Sequence, residues 1–356
     1  MTKRRVLARL LPSLVVVVCA GVTGRSDAQT NYCTQTADTM LEACKASVAD
    51  DGAVGRAVCL NITDTRSRNT CLDDLVDFQD EAIRLCEGQH DSRLAACGVL
   101  GEARYAPDVR PSRFDNPRRP SHPNPYFPLE VGHHWEYRTA TQVNTVDVVN
   151  ETKRIAGVDC IVFRDLVFEG GFIHEATDDW YAPAKDGSVW YFGEEVKDFE
   201  TFAGDHPLRP ELVSIDGSFK AGRDGAKPGV IALPSPKAGD AYLEEFSLGN
   251  AEDVTEILST TYSYGKDPVL DEGVPGQLAE RFCAGDCAVT KNYSLLEPGL
   301  FARKYYARGV GTILEVENTG EVVQLVSCNF DQRCGNLPKP DHSEGERARS
   351  PRRLRH

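Results

Sequence analysis

The sequence predicts an α+β protein: a small disulfide-stapled helical domain followed by an antiparallel β domain built as a barrel, half-barrel or sandwich. Three observations predict it. Six cysteines fall at regular intervals among helix-forming residues between Asn31 and Leu100, a proline-rich break follows residue 105, and the next two hundred residues alternate short β-type runs with turns.

The chain opens with Lys3, Arg4 and Arg5, an apolar run LLPSLVVVVCAGV from Leu10 to Val22, and small or polar residues at Ser26-Asp27-Ala28. This is the layout of a secretory signal peptide over residues 1–28. The run falls short of the ~20 apolar residues that cross a bilayer, and no later stretch is a candidate transmembrane span. Cys19 is not read as a lipid anchor, because Val18 stands where a small residue is expected. The expected location is secreted or periplasmic.

Cleavage after Ala28 would remove five basic residues and one acid, taking the net charge from −14 to −18. So acidic a chain is a poor partner for nucleic acid, whose phosphates must be neutralised by Lys and Arg. Twelve cysteines, eleven of them beyond Cys19, fit an oxidising compartment where disulfides persist.

Residues 29–105 form the predicted helical domain. Its cysteines read Cys33-x10-Cys44-x14-Cys59-x11-Cys71-x14-Cys86-x10-Cys97, and intervals of 11 or 15 positions are near whole numbers of helical turns. With Ala49-Asp50-Asp51-Gly52 and Glu87-Gly88 as stops, the pattern predicts three or four short helices held by three disulfides. Connectivity is open; an antiparallel hairpin favours Cys33 with Cys71, Cys44 with Cys59 and Cys86 with Cys97. No C-x2-C pair occurs in the ladder and no histidine precedes His90, so structural staples are preferred over a metal site.

Residues 106–125 contain six prolines between Pro107 and Pro125 and predict an extended connector. Residues 126–335 form the β domain, with roughly ten strands and hairpin turns at Lys185-Asp186-Gly187-Ser188 and Asn318-Thr319-Gly320. The tail 336–356 is nearly devoid of apolar residues and predicts disorder.

NPYFPLEVGHHWEY (124–137), DGSVWYFGE (186–194), GAKPGV (225–230) and KYYARGVG (304–311), with the six-cysteine segment before them, resemble a group of exported, largely bacterial proteins of unassigned function. The FPL…G…W.Y and YA.GVG phrases are also similar to those of envelope-associated half-barrel proteins. The resemblance implies a β-rich, extracytoplasmic architecture and no catalytic residues. It implies a bacterial source too, so the sequons at Asn61, Asn150 and Asn292 are read as surface turns.

The candidate chemistry centres on DDWYAPAKDGSVWYFGEE, Asp178 to Glu195. A two-residue Asp186-Gly187 turn places Asp179 opposite Glu194, with Glu175 and Thr177 on the same face. A one-residue bulge after a type I turn would pair Asp178 with Glu194 instead. Close carboxylates would raise one pKa or attract a cation. Otherwise these acids are solvated strand ends. His133 and His134 point to opposite strand faces, and a zinc site from His134, His174 and Glu175 would need distant strands to converge, so no metal and no cofactor are assigned. No nucleophile elbow, H-E-x-x-H or phosphate loop is present. Cys283 with Cys287 and Cys328 with Cys334 are read as disulfides, leaving Cys160 as a buried thiol.

Three functions stay open. The first is an exported, non-catalytic binding or cell-envelope structural protein whose β domain holds a small apolar or amphipathic ligand or a protein partner. The second is a carboxylate-dependent hydrolase, with or without metal assistance, using Glu175, Asp179 and Glu194. The third is a protein-interaction module in the helical domain.

Overall fold

The computed structural model describes residues 31–340. The expected signal peptide with Cys19, and the expected disordered tail from residue 341 on, lie outside the described residues. The start of that tail is ordered against the barrel: Leu337 is buried, and Gln324 Nε2 donates to the Pro338 carbonyl at 2.8 Å.

Two long helices, α1 (Tyr32–Leu60) and α2 (Thr65–Leu100), stand where three or four short ones were expected. The predicted glycine stops lie inside them. A Cβ on Gly52 would lie 1.9 Å from Gln79 Nε2, and one on Gly55 would lie 2.7 Å from Leu75 Cδ1. These glycines therefore mark where α1 and α2 approach closely, not where a helix ends. The reversal is set by Asp64, whose side chain accepts from the Ser67 amide at 2.8 Å as the N-cap of α2.

An antiparallel hairpin of two continuous helices brings together positions equidistant from its turn. The disulfides are accordingly Cys33–Cys97, Cys44–Cys86 and Cys59–Cys71, all symmetric about residue 65. This corrects the expected pairing, which assumed shorter helices. Apolar packing between the helices is thin, with Val48, Ala82 and Cys86 at its centre, so the cross-links carry much of the hairpin's stability. Cys283–Cys287 and Cys328–Cys334 are disulfides as well, and Cys160 is a buried free thiol. Five disulfides go with an oxidising, extracytoplasmic environment.

The β domain is a nearly closed antiparallel barrel with more strands than the sequence suggested. The first meander comprises β1 (His134–Arg138), β2 (Gln142–Ile155), β3 (Val158–Glu169), β4 (Phe172–Pro183) and β5 (Val189–Glu200). Short strands β6 (Glu211–Ser214), β7 (Phe219–Lys220) and β8 (Lys227–Ala232) all pair with β5. Then come β9 (Ala241–Leu243), β10 (Glu245–Phe246), β11 (Asp253–Ser263), helix α3 (Gly276–Phe282), and β12 (Ala284–Ser294), β13 (Ala302–Ala307), β14 (Gly311–Glu317) and β15 (Val322–Cys328).

The second meander runs from β11 to β15, and β15 pairs with β1 to join the halves. Opposite that seam, β9 pairs with β11 and β10 with β8, so six residues, 241–246, bring the ends of the sheet together. The main core fills much of the interior and includes Trp135, Ile161, Phe163, Tyr181, Tyr191 and Leu325.

The proline-rich segment is no free spacer. Phe114 bridges to Ala184 and enters a second core with Cys160, Val162, Trp180 and Phe192 on the outer side of β3–β5. The strap satisfies the outward apolar positions that strand alternation leaves exposed. The helical hairpin is also fixed to the barrel. Arg93 of α2 donates from Nε and Nη2 to Glu252 at 2.8 and 2.7 Å, and Ala96 packs with Val254 and Leu295. Two sequons are likewise not surface turns: Asn150 lies within β2, and Asn292 is buried in β12.

Cys160 is fully enclosed, and burial pushes its thiol pKa up, so it should be unreactive in the folded protein. Ellman titration of the chain cleaved after Ala28, without reductant, should find no reactive thiol before denaturation and one per chain after it. Replacing Cys44 and Cys86 together with Ala should cost about 2–4 kcal/mol, read by guanidinium unfolding followed at the helix signal.

Candidate functional site

The register of the Asp178–Glu195 hairpin combines both expectations. The turn closes with Ala184 N–H to Ser188 O at 2.8 Å, and Gly187 takes φ 91°. This is the bulged turn, and near it Tyr181 faces Tyr191 and Ala182 faces Trp190. A second irregularity follows at Gly193, with φ 124°, where a Cβ would lie 2.2 Å from the Phe219 carbonyl oxygen. It restores the one-residue offset, so Asp179 faces Glu194 and Asp178 faces Glu195.

Alternation then sorts the four acids. Asp178 is held on the outer side by Arg164 at 2.8 Å and Glu195 by Lys197 at 2.6 Å. Asp179 borders the barrel lumen and accepts a hydrogen bond from the Tyr191 hydroxyl. Glu175 accepts from the Thr177 hydroxyl at 3.0 Å. Glu194 lies beside Asp179 and Tyr191, but only Asp179 of the expected trio lines the lumen cavity.

That cavity holds about 230 Å³. Phe127, Trp135, Tyr137, Phe163, Tyr181 and Tyr306 give it aromatic walls, and Asn144, Asp165, Asp179, Glu244, Lys304 and Glu315 give it polar ones. Asp165 Oδ1 and Asn144 Oδ1 are buried without a hydrogen-bond partner, although the two side chains meet through Asn144 Nδ2 and Asp165 Oδ2 at 3.4 Å. Glu244 is satisfied by the Thr255 hydroxyl at 2.6 Å and Asn292 Nδ2 at 2.8 Å. Lys304 lies 3.8 Å from Glu315, whose charge is the main cause holding the ammonium well above its usual range.

Burial dominates the electrostatics of the interior acids. It pushes Asp165 up to about 8, helped by the charges of Asp179 and Glu175, and Asp253 up to about 6, helped by Glu244. Asp179 and Glu194 are both raised, first by burial and then by the charges of neighbouring carboxylates, Glu175 among them in each case. Burial likewise raises Glu245 well above the carboxylate range.

The histidines point elsewhere. His133 stacks on Phe330 at 3.7 Å between ring centroids, and burial lowers its pKa. His134 Nδ1 lies 2.8 Å from Asp147. Among the described residues no group of three or more His, Cys, Asp or Glu is placed to hold a metal ion.

Asp165, Asn144 and Lys304 are not among the residues that the sequence pattern singles out. One signal exists for Asp165: in β3 it continues the inward parity of Ile161 and Phe163, so an acid stands where alternation calls for an apolar side chain. Comparison of the chain with protein-family models, curated proteins and solved structures finds no match.

The raised carboxyls set a pH dependence. In the folded lumen they hold protons that the unfolded chain has already released above its ordinary carboxylate range near about 4. Their favourable contribution is complete below that range and is lost as pH rises through about 6 for Asp253 and about 8 for Asp165. The melting temperature should therefore fall between pH 5 and 9 by this contribution, and Asp165→Asn should flatten the upper part of the fall. Circular dichroism melts across that range check it.

Proposed function

We propose that the protein is an extracytoplasmic, secreted or periplasmic binding protein whose barrel lumen receives a small amphipathic ligand with a hydrogen-bond-donating, cationic head. The observation that carries this reading is the pair of unpartnered acceptors, Asp165 Oδ1 and Asn144 Oδ1, in residues lining an aromatic-walled cavity. A buried acceptor without a donor costs about 1–3 kcal/mol, which a ligand ammonium would recover. Tyr137, Tyr181 and Trp135 supply π faces that attract a cation and apolar area for its body. Lys304 is drawn to Glu315, leaving the Asp165 side of the cavity acidic.

The hydrolase reading with Glu175, Asp179 and Glu194 has less support. A substrate in the lumen would meet Asp179 but neither of the other two in the cavity wall. Non-catalytic binding needs no such convergence.

The test is titration of the full chain with 2-phenylethylamine, followed by tryptophan fluorescence from Trp135. Because the ammonium favours ionised Asp165, binding should release a proton, and affinity should rise up to about tenfold per pH unit from pH 6 towards 8. Asp165→Asn should weaken binding about tenfold or more and remove that pH dependence. Unchanged affinity in Asp165→Asn would reject the reading. Glu194→Gln should leave the amine in place; loss of binding there would favour the carboxylate trio.

A further inference from the structure

A second and larger cavity, about 660 Å³, lies where the helical hairpin meets the barrel. Its walls come from both parts of the chain: Ala96 and Leu100 of α2 face Val230, Leu243, Phe246 and Leu295 of the β domain. Such a volume suits a medium-length aliphatic chain.

Its charged groups differ in sign from those of the lumen. Arg93, 4% exposed, spends Nε and Nη2 on Glu252, while its buried Nη1 has no hydrogen-bond partner. Arg104 lies over the Tyr32 ring at 3.8 Å, and Lys227 donates to the Tyr105 carbonyl; both line the same cavity. The acids in the wall are Glu252, already paired with Arg93, and Glu245, whose carboxyl burial pushes well above the ordinary range. Three cations, Arg93, Arg104 and Lys227, stand against two carboxyls, one of them already paired with Arg93, so cations outnumber acids in the wall.

We propose that this junctional cavity binds a single-chain aliphatic carboxylate, its tail between α2 and the β8–β10 region and its head at the Arg93 guanidinium. An unpartnered buried N–H calls for an acceptor, and a carboxylate supplies one with complementary charge. The site is independent of the lumen and takes a ligand of opposite sign. Because its walls span the junction, occupancy should tighten the hairpin against the barrel.

Isothermal titration of the full chain with dodecanoate and with dodecylamine, both below their micelle concentrations, tests this. Dodecanoate should bind about tenfold tighter or better, the scale of one charge-assisted hydrogen bond. Leu100→Trp, at the half-buried end of α2, should fill the cavity and abolish dodecanoate binding while leaving 2-phenylethylamine titration unchanged. The neutral pair Arg93→Gln/Glu252→Gln should erase the preference for the carboxylate; should it fail to fold by circular dichroism, the head-group comparison and Leu100→Trp decide. Equal affinity for the two probes, no dodecanoate binding, unchanged binding in Leu100→Trp, or displacement of dodecanoate by 2-phenylethylamine would overturn the proposal.

Discussion

The close approach of Gly229 to Glu244 is the constraint on which the barrel depends. A Cβ on Gly229 would lie 2.0 Å from the Glu244 carbonyl oxygen, so any other residue would push the 241–246 segment away from β8. That segment is the whole of the closure. It pairs Leu243 with Val254 on one side and Glu245 with Pro228 on the other, and between them the Glu244 amide donates to Asp253 O at 2.8 Å. Two strands of three and two residues give little pairing energy of their own. They hold because the long strands β2–β5 and β11–β12 fix the two edges at the right separation.

Closure is what gives the interior acids their character. Asp165, Asp179, Glu194 and Asp253 have raised pKa values for the same first reason, removal from water. An open sheet would solvate them, and they would ionise in the ordinary range. Inside the barrel their mutual repulsion and desolvation are relieved either by protons or by a cation. Lys304 is the cation the chain supplies, and Glu315 dominates its field. The lumen is thus a place where proton uptake and cation binding compete for the same carboxyls.

Much of the architecture is legible in the sequence because it follows from periodicity and turn chemistry. Strand alternation alone puts Asp178 and Asp179 on opposite faces, and Glu194 and Glu195 likewise. The register is harder to read, since it depends on two offsets of opposite sense: the bulge at Gly187 shifts the pairing by one residue and the irregularity at Gly193 shifts it back. Neither glycine announces which role it plays. Gly52 and Gly88 mislead in the same way, because a glycine needed for a close approach, to Gln79 of α2 in one case and to Pro298 of the β domain in the other, has the same letter as one that ends a helix. The lumen is illegible for another reason. Asn144, Asp165 and Lys304 lie on three strands and meet only after the barrel rolls up, which no local pattern encodes.

The proline-rich segment shows how a connector can lose its freedom. Phe114 sits in the core outside β3–β5, and Asn124 Nδ2 donates to the Leu233 carbonyl at 2.9 Å, so the segment is tied to the barrel that follows it. The Arg93–Glu252 pair then fixes α2 from the other direction. A bidentate pair only 4% and 3% exposed is costly to desolvate and contributes little net stability over an apolar contact, but it is strict about geometry. It sets the register of the hairpin on the barrel, and that register shapes the junctional cavity. Residues 241–246 therefore separate two environments: Glu244 faces an acidic, aromatic lumen, while Leu243 and Phe246 face a positive, aliphatic cleft. One short segment closes the barrel and divides two sites of opposite preference, so a change that loosens it should disturb both together, whereas changes in either wall alone should not.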